Sequence, residues 1–129
     1  MSIRQRLDSW LAFWAVNWTE QRPWGRFKNL MESESFKVKL IEVDPQKKLS
    51  LQSHRHRAEV WTVVQGEASV ELDERKFSLK VGESVSIPLG AKHRLENKNS
   101  TNLQIIEVQT GSYTGEDDIQ RYEDDFGRA

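Results

Sequence analysis

The chain has 129 residues, a formal net charge of −1 and no cysteine. This length suits one domain with an adequate core. The charge balance excludes a bulk basic field for nucleic acid or an anionic membrane. The lack of thiols excludes a disulfide scaffold, a thiolate zinc site and a thiol nucleophile.

The first predicted element is an amphipathic helix from about Ser2 to Val16. Ile3, Leu7, Trp10, Leu11, Trp14 and Trp18 fall at steps of three and four, which puts them on one face. Arg4, Arg6 and Asp8 precede the apolar part, so the segment does not read as a secretory signal. No apolar run approaches membrane-spanning length. A cytoplasmic chain with neither nucleic-acid nor membrane partners is the expectation. Pro23 and Gly25 then break the helical pattern.

From Phe36 onward the pattern becomes that of short strands. Phe36–Val43, Leu49–His54, Val60–Val64, Ala68–Leu72, Lys76–Leu79, Ser84–Ile87, His93–Glu96 and Leu103–Val108 alternate or are β-branched. Turn residues separate them at Asp44-Pro45, Gln65-Gly66, Asp73-Glu74, Val81-Gly82, Pro88-Leu89-Gly90 and 97–102. Many short strands with regular turns predict an all-β sandwich or barrel. The tail, 111–129, is acidic and turn-rich and reads as a solvated extension. The domain is thus expected to comprise a helical extension over 1–21, a barrel over 22–110 and the acidic extension over 111–129.

The chain has three histidines: His54, His56 and His93. Residues two apart in a strand share a face, so Gln52, His54 and His56 are all candidates to point into a barrel. Glu59 follows and opens the next strand. Imidazole and carboxylate groups at this spacing form a nitrogen/oxygen set suited to Zn²⁺, Mn²⁺, Fe²⁺, Co²⁺ or Ni²⁺.

Two motifs carry a family resemblance. Gly82-x5-Pro88-x-Gly90-x2-His93-x3-Asn97 matches the second cupin motif at every position. Counting back from Gly66 through Glu59, His54 and Gln52 to Gln46 gives the first cupin motif. In it, glutamine stands at the first histidine and Gln46 at the opening glycine. Further runs narrow the match: Arg22-Pro23-Trp24-Gly25, Leu49 through Glu59, Ile87 through Asn97, Ile106-Glu107-Val108-Gln109 and Gly115-Glu116-Asp117-Asp118-Ile119. Over Arg22 to Arg128 the chain resembles type II mannose-6-phosphate isomerase, a domain that often follows a guanylyltransferase domain. Two positions depart from that family's pattern. Val60 stands at a usual histidine, and Phe126 at a usual tyrosine.

The resemblance implies a double-stranded β-helix (cupin, jelly-roll barrel) holding one divalent metal ion, Zn²⁺ first among the candidates. By position it implies Gln52, His54, Glu59 and His93 as ligands, Gln52 through its amide oxygen. His56 competes for a ligand place or acts as a proton carrier, since its unperturbed pKa lies near neutrality. Arg57, Lys92, Arg94 and Arg121 are candidates for a sugar phosphate, Arg57 foremost because guanidinium binds phosphate in a bidentate manner. Lys37 and Lys39 share a face and are added to that set. The implied activity interconverts mannose 6-phosphate and fructose 6-phosphate, with His56 and Arg57 as catalytic residues. Two alternatives are a cupin that binds a sugar phosphate or sugar nucleotide without turnover, and an iron-dependent oxygenase. The aromatic helix face leads to a further expectation: a homodimer, with the helix packed at least partly on its own barrel.

Overall fold

The structure, a computed structural model, describes residues 18–129. The N-terminal helix expected from the sequence lies outside them. Eleven strands follow: β1 Glu20–Arg22, β2 Gly25–Glu32, β3 Phe36–Val43, β4 Leu51–Ser53, β5 Arg57–Gln65, β6 Ala68–Leu72, β7 Arg75–Leu79, β8 Ser84–Ile87, β9 His93–Glu96, β10 Leu103–Gly111 and β11 Gln120–Glu123. No helix occurs among the described residues. The strands form a six-stranded sheet, β1-β2-β3-β10-β5-β8, and a five-stranded sheet, β11-β4-β9-β6-β7. Neighbouring strands pair antiparallel.

Four predicted strands (β3, β6, β8 and β9) keep their predicted limits, and the others shift at their ends. Three went unpredicted: β1 and β2 before Phe36, and β11 in the tail. The tail is therefore built into the second sheet, with Arg121 paired to Gln52 and Gln120 to Ser53.

Strand alternation decides what fills the interior. In β3 the buried face carries Lys37, Lys39, Ile41 and Val43; in β10 it carries Leu103, Ile105, Glu107 and Gln109; in β5 it carries Arg57, Glu59, Trp61 and Val63. The register aligns these into rows. Ile41, Ile105 and Val63 lie side by side, as do Lys39, Glu107 and Trp61, and then Lys37, Gln109 and Glu59. The interior is thus divided along its length. One end is apolar and joins Trp24, Phe27, Val70, Leu72, Ile87 and Leu95 in the core. The other is charged. Charged groups are tolerated there because they meet one another, as buried polar groups must.

Local chemistry fixes two turns that shape the barrel. A Cβ on Gly25, at φ +152°, would sit 2.1 Å from the Glu42 carbonyl oxygen, so only glycine lets β2 start against β3. Asn97, fully buried, donates to the carbonyls of Val43, Asp44 and Thr101 at 3.0, 3.2 and 2.8 Å and accepts from the Asn99 amide. It ties β9 to the β3 exit and the loop before β10.

Candidate metal centre

Three of the inward-facing groups converge. Each of His54, Glu59 and His93 offers a ligand atom, and these atoms all lie within 4.8 Å of one another. His54 Nε2 is 3.2 Å from Glu59 Oε2, and His93 Nε2 is 3.7 Å from Glu59 Oε1. The two imidazole centroids are 4.9 Å apart. All three residues are at most 3 % exposed.

The histidine tautomers follow from their neighbours. His54 Nδ1 lies 2.6 Å from the Asp118 carbonyl oxygen, and His93 Nδ1 lies 3.0 Å from that of Ala91. A carbonyl only accepts, so each Nδ1 carries the proton and each Nε2 presents its lone pair inward. Burial holds the His93 pKa below its ordinary value, despite Glu59, which keeps the ring neutral. His93 Nε2 is buried and has no hydrogen-bond partner. Two neutral Nε2 atoms and a carboxylate fit a divalent ion of borderline character. Burial raises the Glu59 pKa, but its charged neighbours, the Arg57 guanidinium among them, outweigh it and hold the carboxyl below its usual range.

Further groups close round this cluster. Arg57 Nε donates to Glu59 Oε2 at 2.9 Å, its Nη2 lies 3.2 Å from His54 Nε2, and its Nη1 is buried without a partner. The Trp61 indole N–H is shared between Glu59 Oε1 at 2.9 Å and Glu107 Oε2 at 3.1 Å. Gln109 donates to the other oxygen of Glu107. Burial, reinforced by the Glu59 charge and opposed by Lys39 and Arg57, pushes the Glu107 carboxyl up to about 7. Gln52, His54, Arg57, Glu59, Glu107 and Arg121 share the wall of one cavity of about 90 Å³. Arg121 Nε is buried without a partner.

The acidic tail supports the cluster. Asp118 Oδ1 accepts the Arg55 amide at 3.0 Å and Oδ2 the His56 amide at 2.9 Å. The same residue's carbonyl orients His54. Burial raises the Asp118 pKa, but the two amides outweigh it and lower the carboxyl. Glu116 pairs with Lys39, and the Thr114 carbonyl accepts from Lys37 Nζ at 2.8 Å. At Gly111 a Cβ would sit 2.0 Å from the His56 carbonyl oxygen, so glycine lets this segment cross over β5.

The structure gathers some predicted residues and separates others. His54, Glu59 and His93 come together. Gln52, Arg57, Lys39 and Arg121 share the cavity wall with His54 and Glu59. Lys37 is buried in the row beside Gln109. His56 is exposed and lines a neighbouring, more open cavity of about 710 Å³, its ring 6.4 Å from Tyr113. Lys92 and Arg94 flank inward-pointing His93 and therefore face outward. Lys92 is exposed with its Nζ over the Tyr122 ring, and Arg94 is tied to Glu123 and the Leu49 carbonyl. Val60 alternates with Glu59 and lies 40 % exposed on the outer surface, so a side chain there cannot reach the cluster. Sequence reasoning gave no role to Trp61, Glu107, Gln109, Asp118 or Arg128, the last of which also lines the inner cavity. The signal for Glu107 and Gln109 was present: polar residues at the inward positions of a strand whose other inward positions are Leu103 and Ile105.

The family model for "Mannose-6-phosphate isomerase C-terminal" matches residues 14–124. The alginate biosynthesis protein AlgA of Pseudomonas syringae pv. tomato is 51% identical over 108 residues, covering 84% of this chain and 22% of that protein. The mannose-1-phosphate guanylyltransferase ManC of Salmonella typhimurium is 48% identical over 107 residues, covering 83% of this chain and 22% of its own length. The chain thus spans about a fifth of the length of these curated relatives. The Schizosaccharomyces pombe Cnp3 cupin domain superposes with a TM-score of 0.69 at 18% identity, covering 77% of this chain and 71% of that one. KdgF from Halomonas sp. gives 0.69 at 17%, covering 80% and 91%. Those likenesses establish a cupin double-stranded β-helix. With 51% identity to AlgA over 108 residues and the family pattern matched over most of its length, the chain belongs to the mannose-6-phosphate isomerase C-terminal family.

Proposed function

We propose that this chain interconverts mannose 6-phosphate and fructose 6-phosphate, using one divalent ion with Zn²⁺ the first candidate. The observation that carries the reading is the buried His54/Glu59/His93 cluster with both Nε2 atoms presented inward, in a chain of this family. Gln52, on the same wall, is the proposed fourth ligand through its amide oxygen. When bound, such an ion acts as a Lewis acid for the negative charge that develops on the sugar oxygens as a proton moves between C1 and C2.

The remaining chemistry falls to the chain's own groups. Arg57 offers its unpartnered Nη1, and Arg121 its Nε, to the sugar or phosphate oxygens. Lys39 lies on the same wall, and Lys37 lies behind it. Proton transfer between adjacent carbons needs a group within reach of both. Glu107 is the proposed group: it lies on the cavity wall and accepts from Trp61 and Gln109, which supports the assignment. His56 opens to the neighbouring cavity, where its proposed part is with the phosphate end of the substrate rather than the reacting carbons. Ile119 lines both cavities, which supports a substrate whose reacting end enters the smaller one.

A second reading is sugar-phosphate binding without turnover. Phe126, standing where the family usually has a tyrosine, favours it. An assay coupling fructose 6-phosphate formation to a reporter, with and without chelator, separates the two. Chelator-sensitive product supports isomerisation; tight binding of mannose 6-phosphate without product supports the second reading. The proposed setting is the cytoplasm. Among the described residues no helix is long and apolar enough to cross a membrane.

A further inference from the structure

The inner cavity extends past the metal cluster to a seam between the two sheets. The short turn 80–83 joins β7 to β8, so the sheets meet along those edges, and β1 and β11 are the edges at the other side. β1 pairs with β2 and β11 with β4, but the two do not pair with each other. Three guanidiniums line the cavity there: Arg22 from β1, Arg121 from β11 and Arg128 from the tail.

Two of the three are held by neighbours. The Arg22 guanidinium lies 5.3 Å over the Phe27 ring, another part of the cavity wall, and pairs with Glu20. Arg128 closes a turn on Asp124. Asp124 Oδ2 accepts its backbone amide and its Nε, both at 2.7 Å, and Oδ1 accepts its Nη2 at 2.9 Å. Asp124 thus takes one edge of that guanidinium and leaves Nη1.

Arg121 differs. It is in register with Gln52, which is in register with His93, so it continues the row of the metal cluster toward the seam. Its buried Nε has no hydrogen-bond partner, and among the described residues no carboxylate forms an ion pair with it. Burial, then the charges of Arg128 and Arg22, push its pKa below the ordinary value, against the pull of Asp124. A guanidinium nevertheless stays charged in a folded protein. The chain therefore keeps a cation beside two others, with a buried donor that nothing accepts. An unmade bond of this type costs free energy until an acceptor arrives. A dianion with several oxygens supplies acceptors to all three groups, and planar N–H pairs match phosphate oxygens.

We propose that Arg22, Arg121 and Arg128 form a phosphate-binding site at the seam between β1 and β11, taking a phosphate monoester or inorganic phosphate. The site goes beyond the isomerase reading, because anion binding there requires neither metal nor turnover. Two sources share this chemistry: the phosphate of the hexose substrate, and a free phosphate bound beside it.

Inorganic phosphate is titrated calorimetrically, at constant ionic strength, into the full chain, Arg22→Gln and Arg121→Gln. Each variant should weaken phosphate binding about 10- to 100-fold, the equivalent of one charge-assisted contact. No binding by the native chain, or native affinity in either variant, would overturn the proposal. Thermal unfolding adds a readout that a structural arginine would not give. Without phosphate, Arg121→Gln should unfold at or above the native temperature, because it relieves repulsion from Arg128 and Arg22 and breaks no side-chain bond. With phosphate in excess, the native chain should gain several degrees and the variant little. A lower unfolding temperature of the variant without phosphate would make Arg121 a structural group and overturn the proposal. Phosphorus NMR of the phosphate-loaded chain with mannose 6-phosphate then separates the sources. Displacement makes the substrate's phosphate the occupant and moves that end of the substrate from His56 to the seam; retention of both ligands makes the occupant a free anion. Either result supports the site. The isomerase reading fails separately, if phosphate binds but no fructose 6-phosphate forms.

Discussion

Asp118→Asn separates the tail's role from that of the cluster it supports. The native carboxylate accepts two backbone amides, from Arg55 at 3.0 Å and His56 at 2.9 Å, while the Asp118 carbonyl holds His54 Nδ1. Asparagine keeps one acceptor oxygen and turns an NH₂ group toward the other amide. One charge-assisted bond is lost and two donors face each other, a loss of about 1.5–3 kcal/mol. The segment that shifts is the one whose carbonyl orients a metal-facing imidazole. Changes in such supporting contacts typically weaken metal binding about 10- to 100-fold. The assay is competition for Zn²⁺ against a chromophoric chelator, with thermal unfolding of the metal-free protein run in parallel. Neighbouring Asp117, which accepts only from the exposed Tyr113 hydroxyl among the hydrogen bonds here, provides the control, and Asp117→Asn should leave metal affinity unchanged. If Asp118→Asn lowers the unfolding temperature but leaves the Zn²⁺ affinity at the native value, the tail stabilises the loop without orienting His54, and the reasoning is wrong.

The other predictions follow from the same geometry. Protein purified without chelator should carry about one divalent ion per chain, as nitrogen/oxygen sites of this type do; a His54→Ala, His93→Ala double variant with undiminished metal would remove the cluster from consideration. Arg57→Ala should weaken mannose 6-phosphate binding by roughly 10- to 100-fold, the equivalent of one charge-assisted contact; calorimetric titration giving the native affinity would take Arg57 out of the substrate's reach. In the metal-free protein, Glu107 has its carboxyl raised from an ordinary 4.5 to about 7, chiefly by burial. The folded chain then retains a proton that the unfolded chain releases, so this contribution is complete below about pH 4.5 and is lost as pH rises to about 7. Glu107→Gln should flatten that decline in unfolding temperature, and an unaltered slope between those limits would refute the assignment.

The strands that could be read from sequence are those with β-branched or alternating apolar residues. Ala68–Leu72 alternates Ala, Val and Leu with polar residues, so period and hydrophobicity agree. Gly25–Glu32 and Gln120–Glu123 fail that test: they are edge or near-edge strands in which polar and charged residues interrupt the apolar pattern, and they are held by backbone pairing to β3 and β4. The tail looked solvated because its residues are acidic. Carboxylates, however, are also the acceptors that buried amides and lysines need, and Glu116 and Asp118 serve Lys39, Arg55 and His56. At the centre, the motif spacing located His54, Glu59 and His93 because ligand chemistry restricts residue type. It could not decide between Gln52 and His56, since both fall on the strand's inward register if the strand continues. The structure ends β4 at Ser53, and the chain turns before His56. Gln46, which stands where a turn glycine is usual, adopts φ 62° and donates to the Lys98 and Asn99 carbonyls, contacts that compensate for the strained backbone.

The central claim is metal-dependent isomerisation by this chain. Its most direct test is the phosphorus and proton NMR time course of mannose 6-phosphate with the purified 129-residue protein, before chelation, after chelation and after addition of Zn²⁺. The account predicts that fructose 6-phosphate appears, that chelator stops its formation and that Zn²⁺ restores it. A chain loaded with one equivalent of metal that binds the substrate yet forms no fructose 6-phosphate would contradict it.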